Sequence, residues 1–355
     1  MNMKERNSSI ELLRIFAIIG VIILHYNNSA IGGGFKYVTE GSINQYYLFF
    51  SENVFICAVD LFIMISAFYL SGTKKRRFIK IVELNVQVIA FRLAVYVASG
   101  IISGNGLSIK SIVGCLLPIN YFVILYSVLY ILSPYINTLI EKLSRNDFKK
   151  LIITLVLIFS VWTFLVDFLE NLAGHTFNGL STVGMYGSQY GYSIVNFILV
   201  YFVGAYIKRN EIEIRKVKAI ILMVALISVM YVLSIMEHKV GLSGITTWNY
   251  NNPLIILLSA VVLLLFMNWN FNSKVINELA RGTFTCFLFH GNLITKVHIV
   301  DFVNRPLWEL VIHQLCVAVG LYLLSYIVYK VYTICSAWFI KIITPLIDKV
   351  NISLE

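Results

Sequence analysis

Charge is sparse in this chain. Asp, Glu, Lys and Arg supply only 13% of the 355 residues while hydrophobic residues supply 59%, whereas about a quarter of an ordinary soluble domain is charged. With a mean hydropathy of +0.81, the composition excludes a soluble domain and predicts a polytopic membrane protein. The five cysteines, Cys57, Cys115, Cys286, Cys316 and Cys335, form no C-x-x-C pair and do not cluster with histidines. They read as small core residues, and no metal is implied. H-E-x-x-H, G-x-S-x-G, the P-loop and G-x-G-x-x-G are all missing, so the local signatures of zinc proteases, serine hydrolases and nucleotide-binding folds are absent. The run Gly32-Gly33-Gly34 reads as a flexible turn in an outer loop. No small-residue cleavage site follows the first apolar segment, which therefore reads as a retained helix in a chain starting near Met1. The longest loops, Ser29–Asn53 and Glu170–Gly191, are too short to fold alone. Residues 1–355 are thus expected to form a single membrane-embedded domain with no appended soluble domain, its chemistry inside the bundle or at its faces.

What is present is a series of apolar segments of spanning length, about 17 to 25 residues each. They predict an all-α bundle of about ten helices at residues 10–28, 54–72, 81–102, 112–136, 151–169, 192–207, 217–236, 253–267, 284–303 and 310–332. Loop charge supports that alternation independently, because basic residues concentrate on the cytoplasmic side. With both termini inside, that side holds Lys4 and Arg6, the cluster Lys74 to Lys80, Lys142 to Lys150, Lys208 to Lys218, Lys274 and Arg281, and Lys330, Lys341 and Lys349. The opposite side holds only Lys36, Lys110, Lys239, Lys296 and Arg305. The net charge of +10 follows from this asymmetry and from anionic headgroups, so no nucleic-acid partner is needed to explain it. High aromatic content suits membrane interfaces.

Within the first segment, ELLRIFAIIGVIILHYNN from Glu11 to Asn28, Arg14 and His25 stand eleven residues apart. On a helix that is about 16 Å along the axis and within about 20° of one face. A charge at bilayer depth costs about 2.5 to 3.5 kcal/mol and marks function or a polar partner. Taken alone, His25 reads equally as a base and as an interhelical hydrogen-bonded histidine, and Arg14 as a cavity residue or a snorkelling one. The basic loop Lys74-Lys75-Arg76-Arg77 with Lys80 reads on composition as topology and lipid contact. Glu83 and Arg92 read as structural charges, members of a charge pair that holds the second and third helices together. His290 is the second histidine at depth; His175, His238, His298 and His313 lie in loops or near helix ends.

The stretch E-L-L-R-I-F-A-I-I-G-V-I-I-L-H resembles the first-helix motif of the acyltransferase 3 family of integral membrane acyltransferases. Val59-Asp60-Leu61-Phe62 with Ser66-Ala67-Phe68-Tyr69-Leu70 is similar to that family's second-helix pattern, with Ala67 where glycine is usual. Tyr121-Phe122 through Leu129-Tyr130-Ile131-Leu132-Ser133-Pro134, Tyr201-Phe202-Val203-Gly204-Ala205-Tyr206 and Phe287-Leu288-Phe289-His290 resemble later stretches in the same order. The family's R-x-x-R after helix 2 appears here as Arg77-Phe78-Ile79-Lys80, with lysine second.

The resemblance implies a multi-pass plasma-membrane enzyme that transfers an acyl group, most often acetyl, to a hydroxyl of a cell-envelope polysaccharide such as a capsule or exopolysaccharide, or to its lipid-linked precursor. The implied donor is cytoplasmic acetyl-CoA, a substrate and not a permanently bound cofactor. His25 and Arg14 become the expected catalytic residues, Arg76, Arg77 and Lys80 the donor contacts, and Asp60 and His290 supporting residues, with Asp60 expected to orient the histidine. A histidine suits proton abstraction from a sugar hydroxyl near neutral pH, and a basic loop suits the coenzyme's phosphates. Outer Tyr46, Tyr47, Trp248, Asn249, Tyr250, Asn251 and Asn252 offer stacking and hydrogen bonds to sugars, as an interface belt would also display. Two other classes stay open: a transporter or flippase for an envelope glycan or acyl intermediate, though no half-to-half repeat is visible, and a scaffold of an export complex, which leaves the Arg14–His25 stripe unexplained. The sequence assigns no oligomeric state.

Overall fold

The computed structural model describes residues 7–104, 106–347 and 350–353; Lys4, Arg6 and Lys349, counted above with the inner charges, lie outside them. In chain order the helices are α1 (Ser8–Asn27), α2 (Gly34–Tyr37), α3 (Ile43–Phe55), α4 (Ala58–Leu70), α5 (Ile79–Ser103), α6 (Ile109–Cys115) and α7 (Tyr121–Lys142). They continue as α8 (Arg145–Val156), α9 (Trp162–Ala173), α10 (Ile194–Arg209), α11 (Lys216–Lys239), α12 (Pro253–Met267), α13 (Lys274–Leu279), α14 (Thr283–Ile294) and α15 (Leu307–Ile347). A π-helical turn, Leu157–Val161, joins α8 to α9. Two short strands, β1 (Lys75–Arg76) and β2 (Ile352–Ser353), pair antiparallel. Helix starts follow local chemistry: Asn7, Ser42, Ser144, Ser193 and Asn252 each accept a backbone N–H of the helix they cap, satisfying a donor that has no partner within the helix. Pro253 then occupies the first turn of α12, where its missing N–H costs nothing.

The bundle is all-α, as the hydropathy predicts, and among the described residues seven spans are long and apolar enough to cross a bilayer: Ser8–Asn27, Ile43–Leu70, Ile79–Ser103, Tyr121–Lys142, Arg145–Ala173, Lys216–Lys239 and Leu307–Ile347. The other three expected segments appear as the shorter helices α10, α12 and α14. The second expected helix starts at Ile43, eleven residues before 54, so the last eleven residues of the expected loop Ser29–Asn53 are helical. Its amides and acid hide it from a hydropathy reading, yet Asn44, Gln45, Glu52 and Asn53 are buried. The fourth, expected from 112, is broken into α6 and α7 around Pro118, which lacks a donor and disfavours a helical residue before it. The ninth ends at Ile294, short of 303, and the tenth runs on to Ile347.

The chain forms two compact units. The first contains the residues up to Ser71 and Leu143–Tyr326; the second contains Gly72–Lys142 and the residues from Ile327 on. In the first unit α1 is the axis: it packs on α3, α4, α12, α13 and α14. It is 67% buried where α11 is 22% buried, so α1 is a core helix and α11 a peripheral one. One face of this unit gathers the C-terminal end of α1 and the loops after it, after α9 and α11, and before α15, tied by Thr39 to Asn304, Asn44 to the carbonyls of Val303 and Arg305, and Asn171 to the carbonyl of Gly244. The opposite face holds the start of α1, where Ser8 Oγ donates to Asn277 and accepts from Ser273 N.

Small residues set the closest approaches. A Cβ on Gly204 of α10 would lie 2.9 Å from Ala67 Cβ and 3.0 Å from the Met64 carbonyl of α4, so the room expected from a glycine at 67 is supplied by Gly204 across the contact. Close backbone approach is the main way that helices associate in lipid. Gly204→Val is expected to force α4 and α10 apart and to destabilise the protein by about 1 to 3 kcal/mol, while Ala67→Gly is tolerated. Thermal unfolding of both variants in detergent measures the difference.

Candidate active site

The first helix carries polar groups at three levels, and each finds a protein partner. Near its start Arg14 Nη1 contacts both carboxylate oxygens of Glu11 at 3.2–3.3 Å, and its guanidinium lies 5.0 Å from the centroid of the Tyr69 ring. Glu11 is buried and Arg14 partly exposed. Arg14 Nε and Nη2 make no hydrogen bond among the described residues.

At the other end His25 meets His290 of α14. His25 Nδ1 and His290 Nε2 are 2.8 Å apart, and the rings stack with centroids 4.7 Å apart. His290 Nδ1 lies 2.7 Å from the carbonyl of Cys286, one turn earlier in its own helix. That carbonyl can only accept, so His290 Nδ1 carries a proton, and a neutral His290 offers Nε2 as an acceptor. His25 Nδ1 must then be the donor. The chain of bonds leaves the lone pair of a neutral His25 on Nε2, which has no partner among the described residues, and that is the arrangement of a general base whose far nitrogen is held. His290 is 1% exposed, so this orientation is set by packing.

The backbone beneath His25 is fixed as well. Gly32 N donates to the His25 carbonyl at 2.9 Å, and a Cβ on Gly32 would lie 2.5 Å from the carbonyl oxygens of both His25 and Tyr26. Gly33 has φ +88°, in the left-handed region. The glycine run is therefore a close-packed seal on the end of α1 and not a flexible turn. A cavity of about 360 Å³ lies immediately past the two histidine helices, lined by Ser29–Gly33 and Thr295–Val300 together with Lys36 and Tyr37.

The third level escaped the sequence reading. Asn27 Nδ2 donates to Glu52 Oε2 at 2.8 Å and to Ser51 Oγ at 3.0 Å, and Gln314 Nε2 donates to Asn27 Oδ1 at 2.8 Å. Tyr47 donates to Gln314 Oε1, and Tyr26 is hydrogen-bonded to His313, whose ring stacks on Phe302. The only signal available was the placing of Tyr26 and Asn27 beside His25; their partners sit in segments read as loop or as a helix end.

Several expected roles come out differently. Asp60 is buried, its Oδ2 without a hydrogen bond among the described residues, and the group on His25 Nδ1 is His290. Arg92 donates to the carbonyls of Gly114 and Ile119 and, among the described residues, does not pair with Glu83. Of the outer aromatics and amides, Tyr250, Asn251 and Asn252 are buried, and Trp248 stacks on Phe35 and lies tilted against Phe49. Asn249, also buried, is the member that lines a cavity.

The basic loop belongs to the second unit. Arg76 is buried; its Nε donates to Ser133 Oγ at 2.7 Å and its Nη1 to Thr73 and to the Lys75 carbonyl. Lys74 pairs with Glu141 at 3.1 Å. Arg76 thus ties its own loop to α7.

Compared with known proteins, residues 7–330 match the family model described as an acyltransferase domain, that of the acyltransferase 3 family. The chain belongs to this family. No curated protein and no solved structure matches it. The match on this membrane acyltransferase runs from the cap of α1 into α15 and includes Arg14, His25, Asp60, Arg76, Arg77, Lys80 and His290. The hydrogen-bond chain makes a direct forecast for the acyltransferase: ¹⁵N spectra of histidine-labelled protein should show Nδ1 protonated on both His25 and His290 at neutral pH, with His25 Nε2 unprotonated. Protonation at His25 Nε2 in place of Nδ1 would reverse the relay.

Proposed function

We propose that this acyltransferase is an O-acetyltransferase of the plasma membrane, moving acetyl from cytoplasmic acetyl-CoA to a hydroxyl of a cell-envelope polysaccharide, capsule or exopolysaccharide, or of its lipid-linked precursor. The observation that carries the reading is the His25–His290 pair. His25 Nε2 takes the proton of the acceptor hydroxyl, the oxygen attacks the thioester carbonyl, the C–S bond breaks, and the leaving thiolate takes up the proton that His25 holds. His290 acts through His25: its acceptor nitrogen fixes the tautomer and stabilises the imidazolium that forms.

Arg14 has a free edge for a polar or anionic group of the donor, since one of its three nitrogens is engaged by Glu11. Arg77 and Lys80 are proposed as contacts for the donor phosphates, and Arg76, with Nε and Nη1 committed, as the residue that shapes their loop. The lysine at 80 supplies a point charge and not a planar fork. Cytoplasmic termini, supported by the concentration of basic residues on one side of the alternation, agree with a donor made inside the cell.

The experiment is transfer of labelled acetyl from acetyl-CoA to envelope glycan in membranes, normalised to protein amount. His25→Ala should reduce transfer on the order of 10³-fold or more and His290→Leu by about 10²-fold, the latter with donor KM unchanged. Arg77→Gln should raise donor KM with little change in kcat, because contacts remote from the thioester bind ground and transition states alike. Wild-type transfer by well-inserted His25→Ala protein would defeat the mechanism.

A further inference from the structure

Away from the histidines, the polar stripe of the α8–α9 span has no use in the transfer step. Ser160, Thr163, Asp167 and Glu170 recur at helical spacing, beginning within the π-helical turn, an irregularity common at functional sites. Ser160 donates to the Asn251 carbonyl, and Asn251 donates to Thr163 and Asp167. Asp167 also accepts from Ser188 and Asn249. The loop facing this stripe is strained: Gln189 and Tyr190 are left-handed at φ 55° and 58°, followed by Gly191 at φ 82°. For side-chain-bearing residues that conformation persists only where surroundings enforce it; here Tyr190 O accepts from Tyr250 N at 2.9 Å.

The strained loop and the stripe enclose a cavity of about 390 Å³ whose lining includes Asp167, Glu170, Asn171, Tyr186, Tyr190 and Asn249. Among the described residues no lysine or arginine lines it, while the carboxylates of Asp167 and Glu170 do, so it does not suit a phosphate or carboxylate. Glu170 Oε1 is occupied by Phe177 N, but Glu170 Oε2, Asn249 Oδ1 and the hydroxyls of Tyr186 and Tyr190 make no hydrogen bond among the described residues. Tyr186 and Tyr190 are 73% and 68% exposed. Rings of an interface belt flank lipid-facing helices; these two stand in a loop at the rim of a cavity beside free acceptors. Flat apolar faces beside acceptors match a sugar ring, whose C–H face stacks on an aromatic while its hydroxyls donate. The cavity opens on the loop-bearing face at which α1 ends, and Trp248, from the loop that lines it, stacks on Phe35 from the loop after α1.

We propose that this cavity binds a neutral sugar unit of the acceptor glycan, separate from the unit whose hydroxyl is acylated. The inference rests on the glycan-acceptor reading above. Binding a remote unit supplies affinity without touching the reacting atoms.

The test uses purified full-length protein on a printed array of neutral and anionic glycans, followed by acceptor kinetics with a bound glycan. Wild-type protein should bind neutral glycans. The double variant Tyr186→Ala/Tyr190→Asn removes both rings and keeps a residue that tolerates the left-handed backbone at 190; it should bind about tenfold more weakly. Acceptor KM should rise by a similar factor while kcat, donor KM and melting temperature stay unchanged. His25→Ala should bind glycans as wild type does. Absence of neutral-glycan binding by wild type, binding confined to anionic glycans, or undiminished binding by the double variant overturns the proposal. If wild type transfers acetyl yet binds no neutral glycan, the sugar site alone falls; if it binds neutral glycan through these tyrosines yet acylates none, the transferase reading falls and the sugar site stands.

Discussion

A polar group at bilayer depth has no water to satisfy it and must find its partner in protein, and α1 concentrates that demand in one helix. Arg14, His25, Tyr26 and Asn27 each meet it with its own partners: Glu11 and Tyr69, His290, His313, and the Glu52–Gln314 pair. The packing of the first unit around α1 follows, because α3, α4, α14 and the start of α15 deliver those partners. The apolar residues between the two ends, from Ile15 to Leu24, then need only fit, which Gly20 assists by admitting Phe55 and Ala58 to the helix surface.

The same constraint explains what could be read from the chain unaided. Where a helix is apolar throughout, hydropathy finds it: 253–267 was expected and α12 is Pro253–Met267. Where polar residues are buried against protein and not exposed, hydropathy fails, because it counts Asn44, Gln45 and Glu52 as loop-forming although their bonds are internal. Pro118 divided a segment that composition joined. In the site, the Arg14–His25 stripe was legible because both residues lie on one helix. Which group meets His25 Nδ1 was not: the motif pointed to Asp60, whereas packing brings His290 to that nitrogen. The Glu52–Asn27–Gln314 network was hidden for the same reason: its members are 25 and 287 residues apart.

Fixing the proposed base from behind has a chemical effect beyond holding it still. A histidine free to rotate or exchange tautomers presents its lone pair on either nitrogen; one whose Nδ1–H is committed presents it on Nε2 alone. The glycine seal adds rigidity at the backbone, since the His25 carbonyl is held by Gly32 N. Side chain and main chain of the same residue are thus restrained by segments far apart in the sequence, and Nε2 of His25 is directed without any contact to substrate.

That separation along the chain bears on biogenesis. The helix that carries His25 is synthesised before α14, and the partner histidine follows 265 residues later, which at ribosomal rates is on the order of tens of seconds. Through that interval α1 resides in the membrane with His25 and Asn27 unmet by His290 and Gln314, retained by its run of isoleucine, leucine and valine. A ribosome that stops before α14 therefore leaves an inserted chain whose first helix still displays unsatisfied polar groups within the lipid, a chemical mark by which an incomplete protein differs from a finished one.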